Sequence, residues 1–220
     1  MPEASPDPPT ASCGAAPERA PLAVVLIHGR ARTAEEMIGL AVRIALPHLA
    51  WRAPAVAGGS WYPQSFMAPD ADNQPALGLA LDRIEREVRA LEAVGLPRRR
   101  IALIGFSQGA CVACEYVRRH PTRWGALIAF TGGLAGPDGT IWTEPATLDG
   151  TPVLFSAGDE DALVPWSRVE ESAVVFTRMG AAVTLRRYPG GEHLVDDDEI
   201  REARAILAAA ASQAFLETNP

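Results

Sequence analysis

The chain has 220 residues, of which 48% are hydrophobic and 21% charged, so it is long enough to bury a substantial core. Its formal net charge of −7 has the wrong sign for electrostatic binding to nucleic acid. No apolar run approaches the roughly 20 residues that cross a bilayer, which argues against a membrane protein.

The N-terminal residues and the cysteines bear on compartment and on domain organisation. Three cysteines, Cys13, Cys111 and Cys114, are too few and too unevenly placed for a disulfide-stapled secreted fold. The N-terminus lacks the basic start and apolar segment of a secretory signal, so we expect a cytoplasmic protein. Residues 1–20 are rich in proline and alanine and predict a flexible arm, followed by a single domain over residues 21–220.

Continuous apolar runs alternate along the chain with segments of helical periodicity. Strands are predicted at Leu22–His28, Leu49–Val56, Arg100–Phe106, Trp124–Thr131, Pro152–Ala157 and Ala182–Tyr188, and helices after Thr33, at Pro75, after Ser107, at Trp166 and at Glu199. This alternation predicts an α/β fold, with a mostly parallel central sheet of about six strands and helices on both faces. Ligands in such sheets bind beyond the carboxyl ends of the strands.

The segment Gly105-Phe-Ser-Gln-Gly109 fits the pattern G-x-S-x-G and lies between a predicted strand and a predicted helix. In that context the pattern predicts a nucleophilic Ser107 on a tight, strained turn, with glycines that let the helix pack on the sheet. The alternative interpretation is an ordinary serine N-cap.

A serine nucleophile needs a histidine base, and the imidazole needs a carboxylate to orient it. The segment after the fifth predicted strand offers Asp159, Glu160 and Asp161, and His193 follows the last strand in a glycine-rich loop. These positions supply the order serine, acid, histidine. The residues alone leave the choice among the three acids open, and a solvated loop side chain is the alternative for His193.

The sequence resembles the α/β-hydrolase superfamily, and within it the phospholipase/carboxylesterase group that includes acyl-protein thioesterases and small bacterial carboxylesterases. The resemblance covers about residues 22–215 and rests on four motifs: His28-Gly29, Gly105-Phe-Ser-Gln-Gly-Ala110, Gly158-Asp-Glu-Asp-Ala-Leu-Val-Pro165 and Gly191-Glu-His193. It implies an α/β-hydrolase fold and a triad in which Asp161 is the acid.

Acyl transfer also requires donors for the oxyanion of the tetrahedral intermediate. The backbone N–H groups of Gln108, directly after the nucleophile, and of Arg30, after His28-Gly29, are the candidates. The family's first loop usually reads H-G-x-G-D, whereas here it carries Arg30 and Arg32 and no acid. The backbone role of Arg30 survives this change, and the cations suggest the hypothesis that the substrate bears a carboxylate or phenolate.

Aromatic residues in the loops are candidates for the substrate pocket. Trp61, Tyr62, Trp142 and Trp166 are expected to wall an apolar acyl or aryl site, the alternative being that they cap the core. Two further patterns are interpreted as structural: Cys111-Val-Ala-Cys114 as helix core rather than a redox or metal motif, and Asp196–Glu199 as a helix cap rather than a metal site.

Together these features predict a serine carboxylesterase or thioesterase that needs no metal or cofactor. We expect hydrolysis through an acyl-enzyme, and the resemblance implies small or medium acyl chains, with an aromatic leaving group as one option. The expected partner is a small-molecule ester or thioester, with no nucleic acid and no membrane; a homodimer is left open. The alternatives are a catalytically silent ligand-binding module on the same fold, and a lactone hydrolase like the dienelactone hydrolases, which usually carry cysteine at the position of Ser107.

Overall fold

The computed structural model describes residues 7–143 and 146–218, and within them the chain forms one sheet flanked by helices. The strands are β1 Ala11–Gly14, β2 Ala23–Ile27, β3 Ala50–Ala53, β4 Ile101–Phe106, β5 Ala126–Phe130, β6 Pro152–Gly158 and β7 Ala182–Tyr188. The helices are α1 Ala34–Ile44, α2 Asp70–Asn73, α3 Ala76–Ala93, α4 Gln108–Arg119, α5 Trp166–Arg178 and α6 Asp197–Thr218. None of the described helices is long and apolar enough to span a membrane.

The sheet has the strand order β1-β3-β2-β4-β5-β6-β7. Every neighbouring pair is parallel except β1 and β3, which are antiparallel. The carboxyl ends of β2, β4, β5, β6 and β7 therefore lie along one edge, which is where the candidate residues follow their strands. The predicted fold class is confirmed.

The strand β1 corrects the predicted N-terminal arm and raises the strand number from about six to seven. Residues 1–6 lie outside the described part, but Ala11 pairs with Ala53 and Gly14 with Ala50. The prediction of a loose arm is wrong for this segment. Composition indicates only how much apolar side-chain surface a segment can bury, whereas β1 is held by backbone hydrogen bonds to the edge of β3. Such pairing across the sequence leaves no local pattern.

Strand side chains alternate between two cores, one on each face of the sheet. On β2, Val25 and Ile27 pack in the core covered by α3, α4 and α5, whereas Val24 and Leu26 pack in the core covered by α1 and α6. This confirms helices on both faces and explains why the strands read as continuous apolar runs.

The first helix begins where the sequence pattern predicts. Thr33 Oγ1 accepts the Glu36 N–H at 3.2 Å, and the Glu36 carboxylate accepts the Thr33 N–H at 3.2 Å. This reciprocal capping box satisfies two N–H groups that the first turn leaves without partners. The helix ends at Ile44, and the left-handed backbone of the following Ala45, with φ 58°, turns the chain before Pro47.

Candidate active site

Ser107 lies on a sharp turn between β4 and α4. Its backbone adopts φ 55° and ψ −122°, a conformation that is strained for any residue with a side chain. The Ser107 N–H donates to the Phe130 carbonyl at 3.0 Å and fixes the turn to β5. A Cβ on Gly105 would lie 2.3 Å from the Gly109 carbonyl oxygen, and one on Gly109 would lie 2.1 Å from that of Ile27. Both glycines of the motif are therefore required by backbone contact.

Three side chains predicted from separate strand ends converge beside this turn. His193, between β7 and α6, places Nε2 2.8 Å from Ser107 Oγ and Nδ1 2.6 Å from Asp161 Oδ2. The other Asp161 oxygen accepts the backbone N–H groups of Leu163 and Val164 at 2.8 and 3.1 Å. The Asp161 side chain is fully buried. A buried, doubly anchored carboxylate favours the tautomer in which Nδ1 carries the proton and Nε2 can accept from the serine hydroxyl.

The other two acids of the loop have different surroundings. Asp159 accepts the Gly190 N–H at 2.8 Å and pairs with Arg187 at 3.0 Å, contacts that lower the pKa of its carboxyl group. It thereby ties the β6 end to the loop that carries His193. Glu160 is exposed. Of the three acids left open by the residues alone, Asp161 is the one whose carboxylate contacts the imidazole.

The two residues that carry the candidate oxyanion donors both line the cleft at Ser107. Gln108 is the first residue of α4, where helix geometry leaves the backbone N–H unpaired and partly positive. Arg30 lies in the loop after β2, which is held by the Ala31 N–H bonding to the Gly59 carbonyl at 2.8 Å. A Cβ on Gly29 would approach Ser107 Cβ to 3.3 Å, so this loop lies directly against the nucleophile turn.

A side-chain network that the sequence analysis missed joins these two donor segments. Gln108 Oε1 accepts the Trp61 backbone N–H at 3.0 Å, and Gln108 Nε2 donates to the Tyr62 carbonyl at 2.8 Å. Trp61 Nε1 in turn donates to the His28 carbonyl at 2.8 Å, and its ring lies 4.8 Å from the His28 ring. We call Gln108, Trp61 and His28 the clamp. Its members are distant in sequence, so no local pattern indicates it.

A cleft of about 540 Å³ opens above Ser107. Its apolar lining comes from Tyr62, Phe66, Phe106, Leu163 and Val164.

The Arg30 and Arg32 side chains also line the cleft. The Arg30 guanidinium donates to the carbonyls of Pro63 and Gln64 at 2.9 and 2.6 Å and lies 6.0 Å from the Tyr62 ring centre. These partners are neutral, so its charge is held in place beside the cleft without being cancelled.

Of the four aromatic residues predicted to wall the pocket, the described lining contains Tyr62. The structure corrects the predicted location of Trp61, which is not in this lining but is buried in the clamp, because its indole N–H bonds to the His28 carbonyl. The Trp142 indole N–H donates to the Ala135 carbonyl at 3.0 Å, and the Trp142 ring centre lies 5.2 Å from the buried Arg168 guanidinium. The Trp166 ring centre lies 5.6 Å from the Arg187 guanidinium. For these two residues the structure corrects the predicted location, because contacts with arginines, which no sequence period indicates, hold them elsewhere.

The two patterns interpreted as structural are structural in this fold. Cys111 and Cys114 are buried inside α4, and burial raises the pKa of Cys111 to about 11. The Glu199 backbone N–H donates to the Asp196 carboxylate at 2.8 Å, and the Asp196 backbone N–H donates to the Glu199 carboxylate at 2.9 Å, so the two residues form a helix cap. Across the described ranges, no three side chains of the metal-ligating types cluster.

Comparisons with known proteins agree with this architecture. The family model described as phospholipase/carboxylesterase matches residues 12–211. The crystal structure of a phospholipase/carboxylesterase from Dyadobacter fermentans superposes with a TM-score of 0.86 and 42% identity, covering 90% of this chain and 95% of that one.

Curated relatives are more distant. A probable carboxylesterase of rice (Oryza sativa subsp. japonica) is 23% identical, with coverage of 86% of this chain and 88% of the relative. Acyl-protein thioesterase 1 of Gibberella zeae is 26% identical, with 76% of each chain covered. The chain spans between 54% and 88% of the length of the first three curated relatives it matches. From its fold, its motifs and the match over residues 12–211, the chain belongs to the phospholipase/carboxylesterase family of α/β-hydrolases, which are carboxylic ester hydrolases.

Proposed function

We propose that the protein hydrolyses small or medium acyl esters and thioesters, aryl esters among them, through an acyl-enzyme formed on Ser107. The observation that carries the proposal is the continuous hydrogen-bond chain from Ser107 through His193 to the buried Asp161, at the base of an open cleft. A serine hydroxyl aligned with an oriented imidazole is the arrangement that serine nucleophilic catalysis requires.

The reaction follows from this geometry in two halves. In the first, Ser107 Oγ attacks the carbonyl carbon while His193 Nε2 takes the hydroxyl proton, and the new oxyanion accepts bonds from the N–H groups of Arg30 and Gln108. The intermediate collapses, the bond to the leaving oxygen or sulfur breaks, and His193 returns the proton to that atom. Asp161 stabilises the imidazolium formed between these steps.

In the second half, a water molecule attacks the acyl group on Ser107. His193 Nε2 takes a proton from the water, and the oxyanion forms at the same two N–H groups. Collapse of this intermediate releases the carboxylic acid and returns the proton to Ser107 Oγ. Both halves use one base and one pair of donors, so no metal or cofactor is needed.

The cleft volume and lining support the proposed substrate size. A cavity of about 540 Å³ is within the range of small-molecule sites, roughly 300 to 1,000 Å³. Its apolar wall of Tyr62, Phe66, Leu163 and Val164 favours a short hydrocarbon or aryl acyl group.

We also propose a cytoplasmic location, which the free thiols of Cys13, Cys111 and Cys114 support.

The test is hydrolysis of p-nitrophenyl acetate, butyrate and octanoate, a matched acetyl thioester and a lactone by wild type, Ser107→Ala, Asp161→Asn and His193→Ala. We expect Asp161→Asn to lose roughly 10⁴-fold in kcat, and Ser107→Ala and His193→Ala roughly 10⁶-fold each, as in other serine triads. Glu160→Gln is the matched control, because this acid lies in the same loop but is exposed, whereas the imidazole bonds to Asp161.

Two outcomes would contradict the proposal. Folded wild type without ester or thioester turnover would favour a ligand-binding module. Turnover of the lactone far above every open-chain ester would favour lactone hydrolysis.

A further inference from the structure

A second cavity adjoins the cleft on the side of α1. It has a volume of about 400 Å³ and lies between that helix and the residues that follow His193. Its floor is formed by Met37, Leu40, Phe106, Leu194 and Val195. We call it the α1 groove. The Leu194 side chain in it is 58% exposed, so apolar surface is open to a ligand there.

The α1 groove is continuous with the cleft. Phe106 and Arg32 line both cavities. The Phe106 ring centre lies 5.2 Å from that of His193, whose Nε2 is 2.8 Å from Ser107 Oγ. A group that passes over Phe106 therefore leaves the reaction centre on the imidazole side.

The chemistry at Ser107 specifies which part of an ester lies on that side. His193 must protonate the leaving oxygen, so this oxygen has to come within hydrogen-bond distance of Nε2. The carbon skeleton attached to it then starts beside His193 and Phe106, where the α1 groove begins. The acyl group is left with the cleft wall that includes Tyr62 and Phe66.

The charges around the α1 groove favour an uncharged occupant. Arg32 lies 3.5 Å from Glu36, and Arg43 lies 3.0 Å from Asp197. Each cation at the rim is thus matched by a carboxylate, while the floor is apolar. Such a site gains affinity by removing apolar ligand surface from water and offers no unmatched charge to an ionic group.

We propose that the α1 groove is the leaving-group subsite and binds an uncharged, apolar alcohol or phenol. This inference rests on the proposed hydrolysis at Ser107 and adds the substrate class on the alcohol side. The enzyme would accordingly favour esters of bulky aryl or alkyl alcohols over methyl or ethyl esters of the same acid.

Gly39 offers a direct way to fill the groove. It lines the groove in the middle of α1, and a Cβ built on it meets no heavy atom within 4 Å. The Cβ position is thus open, and Gly39→Leu extends a side chain from it while replacing glycine by a better helix former. Gly39→Ala is the matched control, with the same helix effect and little added volume.

The experiment compares two substrate series. With 2-naphthyl, phenyl and ethyl acetate, we expect Gly39→Leu to lower kcat/KM at least about tenfold for the naphthyl ester, less for the phenyl ester, and no more than about twofold for the ethyl ester. A tenfold loss corresponds to about 1.4 kcal/mol. p-Nitrophenyl acetate, butyrate and octanoate share one leaving group, so we expect Gly39→Leu to change kcat/KM by the same factor for all three. Gly39→Ala should resemble wild type throughout.

A binding measurement separates this inference from the proposed function. In Ser107→Ala, we expect 2-naphthol to bind by fluorescence titration and Gly39→Leu to weaken it about tenfold, whether or not turnover occurs. A loss that grows with acyl length instead would assign the groove to the acyl chain, and unchanged kinetics and naphthol binding would exclude it as a subsite; either result overturns the inference. Absent ester turnover in wild type would refute the proposed function separately.

Discussion

Removing the Gln108 side chain should slow catalysis more than it weakens substrate binding. Gln108→Ala leaves the Trp61 N–H and the Tyr62 carbonyl without the partners they have at 3.0 and 2.8 Å. Both residues are 2% exposed, so each unpaired group costs about 1 to 3 kcal/mol, and the variant should lose about 2 to 6 kcal/mol of stability.

The effect on rate follows from what the clamp supports. Trp61 holds the His28 carbonyl, two residues before the proposed Arg30 donor, and Gly59 accepts the Ala31 N–H directly after it. When this segment loosens, the Arg30 N–H is displaced from the oxyanion position. Complete loss of one donor costs roughly 10² to 10³ in kcat. Partial displacement should therefore lower kcat about 10- to 100-fold, with KM changed less than threefold.

The assay is kcat and KM for p-nitrophenyl acetate together with thermal unfolding, and Thr151→Val is the matched control. Thr151 is fully buried, and its hydroxyl accepts the Trp124 N–H at 2.9 Å and donates to the Leu148 carbonyl at 2.6 Å. It precedes β6, at the amino ends of the strands and away from Ser107. It should lose comparable stability and keep its kcat. If Gln108→Ala is destabilised but keeps wild-type kcat, the clamp does not position the donor.

Further predictions concern single contacts of the site and its surroundings. Trp61→Phe removes the bond to the His28 carbonyl together with part of a buried indole ring, and should lower kcat at least about threefold to tenfold, the range of one lost hydrogen bond of 0.5 to 1.5 kcal/mol. Kinetics equal to wild type would argue against this link. Arg30→Gln should weaken the preference for an anionic substrate, since the Arg30 charge beside the cleft has neutral partners. We expect kcat/KM for a p-nitrophenyl hemiester of a dicarboxylic acid, divided by kcat/KM for the neutral p-nitrophenyl butyrate, to fall about fivefold. An unchanged ratio would refute the anionic-substrate hypothesis. Burial raises the pKa of Glu199, so the folded state binds the Glu199 proton more tightly than the unfolded state does. Wild type should therefore gain stability relative to Glu199→Gln as the pH falls from 7 through the folded-state pKa toward the ordinary value of about 4.3. The difference in melting temperature between the two proteins, measured against pH, should show this slope; a slope of the opposite sign would show that Ser156 and the helix cap outweigh burial.

Continuous runs of apolar residues explain why much of the fold was predictable. The runs that became β2, β4, β5 and β6 are buried on both faces, so they read as continuous apolar stretches even without knowledge of the strands they pair with. Because parallel strands end at one edge, residues that follow different strands are expected to meet. That reasoning is enough to bring Ser107, Asp161 and His193 together.

Contacts across the chain explain what was not predictable. The strand β1 forms because β3 presents a free edge, which four residues of ordinary composition can cover. Trp142 moves away from the cleft because Arg168, buried on α5, stacks on its ring. The clamp depends on Gln108 reaching a loop far away in sequence. Each of these is set by packing geometry, for which one sequence carries no periodic signal.

The most direct measurement of the central claim is the intact mass of the protein after reaction with a fluorophosphonate probe, followed by peptide mapping. We predict one adduct per chain, on Ser107, absent from Ser107→Ala and much slower to form in His193→Ala. The thiols of Cys111 and Cys114 should stay unmodified, because both are buried in α4. An unlabelled, folded wild-type protein, or labelling that persists in Ser107→Ala, would contradict the assignment of Ser107 as the nucleophile.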